Sequence, residues 1–210
     1  MVRGEMFILS APSGTGKNTL IRQVLSQLNG LEHSISHTTR APRRGEQDGV
    51  SYHFVDRPRF ESMIGADQFL EWAEYNQELY GTAVVEVESR LARGVDVLMD
   101  IEIRGTERLL ERCPDAHAVF VLPPDYATLE RRLTARGLDR QGAMADRLAL
   151  SLWEIERYGL YQYVIINDDL DRASEALAAI ILEKRQRVRR QEQRVAGILE
   201  DFRSRSAGSA

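Results

Sequence analysis

The chain has 210 residues, of which 43% are hydrophobic and 29% charged, and a formal net charge of −4. That length and mixture bury one sizeable core and place the chain in the ordinary globular range. A lone cysteine, Cys113, excludes an internal disulfide framework or thiolate metal cage, and the apolar start Phe7–Leu9 is too brief for a secretion signal or membrane span, so a cytoplasmic setting is expected.

Met6–Ser10 is a short apolar run that predicts a strand, and Lys17–Leu28 predicts a helix, with Leu20, Ile21, Val24, Leu25 and Leu28 at helical spacing. Between them runs Ser10-Ala11-Pro12-Ser13-Gly14-Thr15-Gly16-Lys17-Asn18-Thr19. A glycine-rich turn joining a strand to a helix is the setting of a phosphate-binding loop, or P-loop. Its glycines let backbone N–H groups face the phosphates, the helix N-terminus adds positive potential, and Lys17 reaches the β- and γ-phosphates. Ser13, Gly14, Thr15, Gly16, Lys17, Asn18 and Thr19 are therefore the expected segment for binding nucleotide phosphates, with Mg²⁺ as cofactor. Two positions depart from the full pattern: Ala11 stands where glycine is usual, and Asn18 where Ser or Thr supplies a hydroxyl to Mg²⁺. An amide oxygen is a less usual ligand, so a weaker or rearranged metal site is expected. Thr19 still offers a hydroxyl to a phosphate.

From His37 to Gly81 the pattern changes, as Arg, Gly and Pro crowd together and are followed by the aromatic-rich runs Tyr52–Val55 and Phe69–Tyr75, with a short helix over Pro58–Ile64 between them. This segment reads as an inserted lobe. The apolar runs Val95–Met99, Ala118–Leu122 and Tyr163–Ile166 then each precede a helical pattern, over Ile103–Arg112, Tyr126–Ala135 and Asp169–Leu182. Such alternation predicts an α/β fold, a parallel sheet flanked by helices. Asp100-Ile101-Glu102 ends one predicted strand, where ligand sites of open parallel sheets collect, and either acid is placed to orient Mg²⁺ through water. Arg136–Gly142 has few apolar residues and two glycines, the composition of a mobile lid.

Glu183–Arg205 holds eight Lys or Arg against four acids, leaving the rest of the chain with 20 basic and 28 acidic residues. The body is acidic and shows no broad basic footprint for nucleic acid. Ile181, Val188, Val195 and Phe202 recur every seven residues along this tail. A solvated helix with one thin apolar stripe accounts for that recurrence better than a coiled-coil partner site, since a second apolar row is poorly developed. Ser204–Ala210 is expected to be disordered. No repeat or linker divides the chain, so the expected organisation is a single domain over 1–182. Its core is 1–36 and 83–182, its lobe 37–82 and its lid about 136–147, followed by a charged extension over 183–210.

The lobe carries the specific signal. Ser36-His37-Thr38-Thr39-Arg40-Ala41-Pro42-Arg43, Gly49-Val50-Ser51-Tyr52-His53-Phe54, Phe69-Leu70-Glu71-Trp72-Ala73, Tyr80-Gly81-Thr82 and Asp100-Ile101-Glu102 together resemble the guanylate kinase family, in order and spacing, over about Met6 to Leu182. The resemblance implies a P-loop NTPase-type fold that phosphorylates GMP from ATP. It implies that Ser36, Arg40, Arg43, Tyr52 and Tyr80 surround the GMP phosphate, while Glu71, Thr82 and Asp100 face the guanine. Paired guanidinium forks suit a dianionic phosphate, and one carboxylate accepts both guanine N1–H and N2–H, a donor pair that adenine lacks. On the donor side, Arg132, Arg136 and Arg147 match the family's lid arginines, and Asn167 matches its adenine contact. Lys17, Arg43, Arg136 and Arg147 are thus the expected catalytic residues. Arg132 has the alternative role of capping or salt-bridging its helix, and Asp169 that of a helix N-cap. Arg104 stands where the family usually has glutamine. Two alternative functions remain open at this point, a guanylate-kinase-like protein-interaction module without catalysis and a P-loop kinase for another phosphorylated acceptor. The partners expected are ATP and GMP, with no nucleic acid and no membrane.

Overall fold

The structure, a computed structural model, describes residues 2–75, 77–135 and 141–207. In chain order the strands are β1 (Met6–Ser10), β2 (Leu31–His33), β3 (His37–Thr38), β4 (His53–Phe54), β5 (Phe69–Tyr75), β6 (Glu78–Ala83), β7 (Asp96–Asp100), β8 (His117–Leu122) and β9 (Tyr163–Ile166). The helices are α1 (Lys17–Gln27), α2 (Arg57–Gly65), α3 (Val84–Ala92), α4 (Ile103–Arg112), α5 (Tyr126–Thr134), α6 (Gln141–Ile155), α7 (Leu170–Gln186) and α8 (Val188–Ala207).

Five strands form a parallel sheet in the order β2-β7-β1-β8-β9. Both its faces are covered, which explains why β1 is buried at all five positions. Successive side chains alternate between the faces. Met6 and Ile8 join Val97, Met99, Ala118 and Phe120 on one side, while Phe7 and Leu9 join Leu98, Val119 and Val121 on the other. Asp56, Asp125 and Asp169 cap α2, α5 and α7, each accepting from a backbone N–H three residues on.

The lobe is a second sheet, ordered β4-β3-β6-β5 and built around the antiparallel β5–β6 pair. It has its own small core, in which Phe60 of α2 stacks on Phe69 of β5 with centroids 4.4 Å apart. The edge of the main sheet that ends in Ser10 and Asp100 faces this lobe across a cleft.

Two expectations about irregular segments need correction. Ser204–Ala207 is helical, not disordered, because α8 continues to Ala207 with an Arg205–Asp201 pair of 3.1 Å at i, i+4 spacing supporting its last turns. Gln141 and Gly142, at the end of the segment expected to be irregular, likewise belong to α6, and residues 136–140 lie outside the described residues. The seven-residue stripe is also not continuous. Arg187 is extended (φ −62°, ψ 143°), and it separates α7, whose Ile181 is in the core, from α8, whose Val188 and Phe202 are exposed. The tail's first basic residues turn back onto the body. Arg185 and Arg190 pair with buried Asp96 at 2.7 and 3.0 Å, and Arg189 pairs with buried Glu5 at 3.0 Å.

Candidate active site

Gly14 and Gly16 have φ of +89° and +99°, in the left-handed region that L side chains rarely adopt. Packing demands glycine there too, since an added Cβ would lie 2.8 Å from Leu133 at Gly14 and 2.8 Å from the Asn167 amide at Gly16. The loop between them is anchored through one carbonyl. Thr15 O accepts from Asn167 Nδ2 at 2.7 Å and from Arg132 at 3.0 Å, and the other arm of the Arg132 fork donates to Asn167 O at 3.1 Å. Arg132 is therefore a brace between the loop, α5 and the turn after β9.

Lys17, the first residue of α1, pairs with Asp100 at the end of β7. Burial by itself lowers the pKa of its ammonium, but the Asp100 charge and hydrogen bond, aided by Glu102 and Tyr161, hold it above the usual lysine value. The lysine stays charged in a recess shielded from water.

Across the cleft, Glu71 of β5 is buried opposite Thr82 of β6. Its Oε1 accepts from Thr82 N at 3.1 Å and Thr82 Oγ1 at 2.9 Å, and Ser36 Oγ lies 3.3 Å from that same hydroxyl. Burial raises the Glu71 pKa to about 7, outweighing the two Thr82 hydrogen bonds that favour the carboxylate. Its other oxygen faces α4 at Gly105, where a Cβ would come within 2.7 Å. Tyr52 and Tyr80 stand nearby with ring centroids 6.0 Å apart at 67°.

The cleft between these walls encloses about 470 Å³ and is lined by Ser13–Asn18 on one side and by Ser36, Tyr52, Glu71 and Tyr80 on the other, with Asp100 between them. The loop and the Glu71 recess open into this one space.

A sequence model of the family described as guanylate kinase matches residues 3–184. The chain belongs to the guanylate kinase family. Curated guanylate kinases from Vibrio vulnificus (strain YJ016) and from Neisseria meningitidis serogroup A are 44% and 42% identical over 202 and 199 residues, covering 95% of this chain and 98% and 97% of theirs. The crystal structure of guanylate kinase from Anaplasma phagocytophilum superposes with a TM-score of 0.74 at 27% identity, covering 90% of each chain. Membership makes the chain a kinase that binds nucleotides through its P-loop.

Not every residue expected of a guanylate kinase site reaches the cleft. The Arg40 guanidinium is taken up by Glu46 at 2.9 Å and Ala41 O at 2.7 Å, and it lies 5.4 Å from the Tyr52 ring centre. Arg43 is exposed, its backbone N–H bonded to the other Glu46 oxygen at 2.7 Å. Glu46 thus engages the Arg40 guanidinium and the Arg43 backbone, and neither arginine lines the cleft. Thr82 stands behind Glu71, Thr19 is exposed on α1, and Arg147 is half-buried on α6 outside the cleft lining. Arg136 lies outside the described residues.

Sequence reasoning missed His33 at the end of β2, Ser34 after it, and Leu150, Trp153 and Glu154 of α6, all of which line the cleft. His33 Nε2 and Ser34 Oγ are buried there without a hydrogen-bond partner among the described residues. Burial lifts the Glu154 carboxyl to about 7, with Glu102 adding to it and Lys17 opposing. No local signal marks these positions, because only the fold brings α6 over the loop. Arg104, noted for departing from the family's glutamine, has its guanidinium 5.4 Å from the Trp153 ring centre, and Arg157 lies 3.6 Å from the same ring.

Proposed function

We propose that the chain transfers the terminal phosphoryl group of ATP directly to GMP, and to dGMP, by in-line displacement, yielding ADP and the nucleoside diphosphate in cytoplasmic purine nucleotide metabolism. The observation that carries this reading is the single cleft joining the Lys17 loop to the buried Glu71 recess.

ATP phosphates lie along residues 13–19, where backbone N–H groups, the α1 N-terminus and Lys17 oppose their charge. Arg132 and Asn167 act on ATP mainly by bracing Thr15, with the Asn167 side-chain oxygen Oδ1 left to adenine. In the acceptor half Glu71, supported by Thr82, accepts from guanine N1–H and N2–H, and Asp100 borders the same edge. Ser36, Tyr52 and Tyr80 surround the acceptor phosphate, Arg40 reaches it by exchanging Glu46 for the phosphate, and the exposed Arg43 side chain joins it there. Arg136 and Arg147 supply positive charge to the transferred group as the lid closes and excludes water. No nucleophilic side chain is required, because positioning and charge stabilisation suffice for this transfer.

The residues fit a Mg²⁺ ion carried in by the nucleotide. No cluster of three His, Cys, Asp or Glu able to cage a metal occurs among the described residues, and Mg²⁺ held by phosphates and waters needs only one or two protein groups. Asn18 Oδ1 and, through water, Asp100 are the groups placed for it. When bound, the ion neutralises charge on the β- and γ-phosphates.

Coupled ADP-release measurements with Mg²⁺, ATP and GMP, dGMP, AMP, CMP or UMP test the reading. GMP and dGMP are expected to turn over, with AMP lower in kcat/KM by at least about 100-fold, since an unpaired buried carboxylate penalises the wrong base. Equal use of AMP would reject the substrate assignment, and silence with every acceptor would favour the protein-interaction module.

A further inference from the structure

The strand that carries Glu71 is irregular beside that residue. Phe69 of β5 pairs with Ala83 of β6 and Glu71 with Thr82, so Leu70 is an extra residue, a β-bulge. A bulge re-aims the side chain next to it, and here it turns Glu71 Oε1 onto Thr82 N and Thr82 Oγ1 at 3.1 and 2.9 Å.

Helix α4 grips this bulge from both sides. Arg112 donates to Phe69 O at 3.1 Å, just before Leu70, and Arg108 donates to Trp72 O at 2.9 Å, just after Glu71. Gly105, Arg108 and Arg112 lie on one face of α4 at i, i+3, i+7 spacing, and Gly105 abuts the Glu71 carboxylate from the same face. The two arginines differ in charge balance. Arg112 forks onto both oxygens of Asp67 at 2.9 and 2.8 Å. Arg108 has no ion pair among the described residues and lies 5.6 Å from the Trp72 ring centre, so its positive charge is left uncompensated beside β5. Behind the strand, Glu71, Trp72, Arg108 and Arg112 border a second cavity of about 210 Å³. That space gives the bulge room to relax away from the cleft once an arginine bond is lost.

Taking GMP as the acceptor, the reading on which this rests, we propose that Arg108 and Arg112 are positioning residues for base choice. They clamp the two ends of the bulge so that Glu71 meets guanine, and Arg108 adds the positive charge that favours the Glu71 carboxylate. Burial raises the Glu71 pKa, the Thr82 hydrogen bonds oppose that, Glu102 at the start of α4 adds to it, and Arg108 opposes it. Arg108 is exposed, so water and salt screen its charge and the electrostatic effect is modest.

Steady-state kinetics of the full chain with ATP and GMP or AMP, across pH, test this. Arg108→Leu is expected to raise the KM for GMP about tenfold, to leave kcat and the KM for ATP unchanged, and to weaken the preference for GMP over AMP. It should also move the pH at which the KM for GMP levels off upward by about half a pH unit, since a cation is lost beside Glu71. Arg108→Lys keeps the charge and should restore that pH but only part of the KM. Arg112→Leu combined with Asp67→Asn removes a balanced pair, and should raise the KM for GMP without moving that pH. In Glu71→Gln the Arg108 substitution should move no profile, which separates the effect from Glu154, raised to about 7 in the same cleft. If Arg108→Leu lowers only the thermal midpoint, or disturbs kcat and the KM for ATP as much as the KM for GMP, the clamp is overturned while GMP remains the acceptor. A wild-type chain that ignores GMP would remove the acceptor assignment and the clamp with it.

Discussion

The Glu71 carboxyl is held near pKa 7 by burial, so at neutral pH it is about half protonated before any nucleotide arrives. Its folded pKa is raised above the ordinary 4.5, so the stability it contributes is fully present below pH 4.5 and is lost as pH rises through 7. Guanine reverses this preference, because two N–H donors require the ionised form and GMP binding therefore expels a proton. The KM for GMP is expected to fall by up to about tenfold per pH unit below 7 and to level off above it, measured by steady-state kinetics from acid to mildly alkaline pH. Glu71→Gln should remove that slope and raise the KM for GMP by about 10- to 100-fold, since a neutral amide presents only one acceptor to two donors. Glu154, raised to about 7 in the same cleft, remains in that variant, so a slope that survives Glu71→Gln would assign the titration to it. The motif surrounding Glu71 was readable in the sequence. Its pKa was not, since that depends on water excluded by the packing of β6 and of α4, the latter more than 30 residues along the chain.

Helix α4 shows local propensity and tertiary packing in opposition. Gly105 lies inside the helix, where alanine would ordinarily stabilise by about 1 kcal/mol. Here the added Cβ would stand 2.7 Å from Glu71 Oε2 and 2.8 Å from Ile101 Cγ2, and overpacking of that kind costs about 1–3 kcal/mol. Packing wins, so Gly105→Ala is expected to lower the thermal midpoint and to raise the KM for GMP by displacing the carboxylate. A higher midpoint with unchanged KM would show that Glu71 has room to move. At this scale the helices with clear apolar spacing were legible whether capped or not: α1, α4, α5 and α7 all begin within a residue of the expected positions, because periodicity involves only neighbouring residues. Strands β2, β3 and β6 and helix α3 carry weaker local patterns and acquire their form by pairing with, or packing on, segments far along the chain.

Across the whole molecule, buried Asp96 ties the sheet to the tail by accepting from Glu5 N at 2.7 Å, Arg185 at 2.7 Å and Arg190 at 3.0 Å. Asp96→Ala strands two guanidinium groups and a buried N–H, and is expected to cost about 3–5 kcal/mol in urea unfolding. Turnover of the folded fraction should change little, since Asp96 starts β7 and the cleft lies beyond its other end, at Asp100. An unchanged urea midpoint would mean that the tail is not clamped through this residue. By itself the sequence determined the strand–loop–helix start, the alternation that demands a parallel sheet, and the ordered motifs of the family. These are properties of consecutive residues: glycine torsions, hydropathy period and side-chain chemistry. Only the tertiary structure decided that Asp100 neutralises Lys17, that Glu46 restrains Arg40, that α6 brings Glu154 over the loop, and that Arg187 parts a core helix from a projecting one. The first and third depend on the distance between residues far apart in the chain, and the other two on backbone torsions and on where water is excluded, none of which a hydropathy pattern encodes.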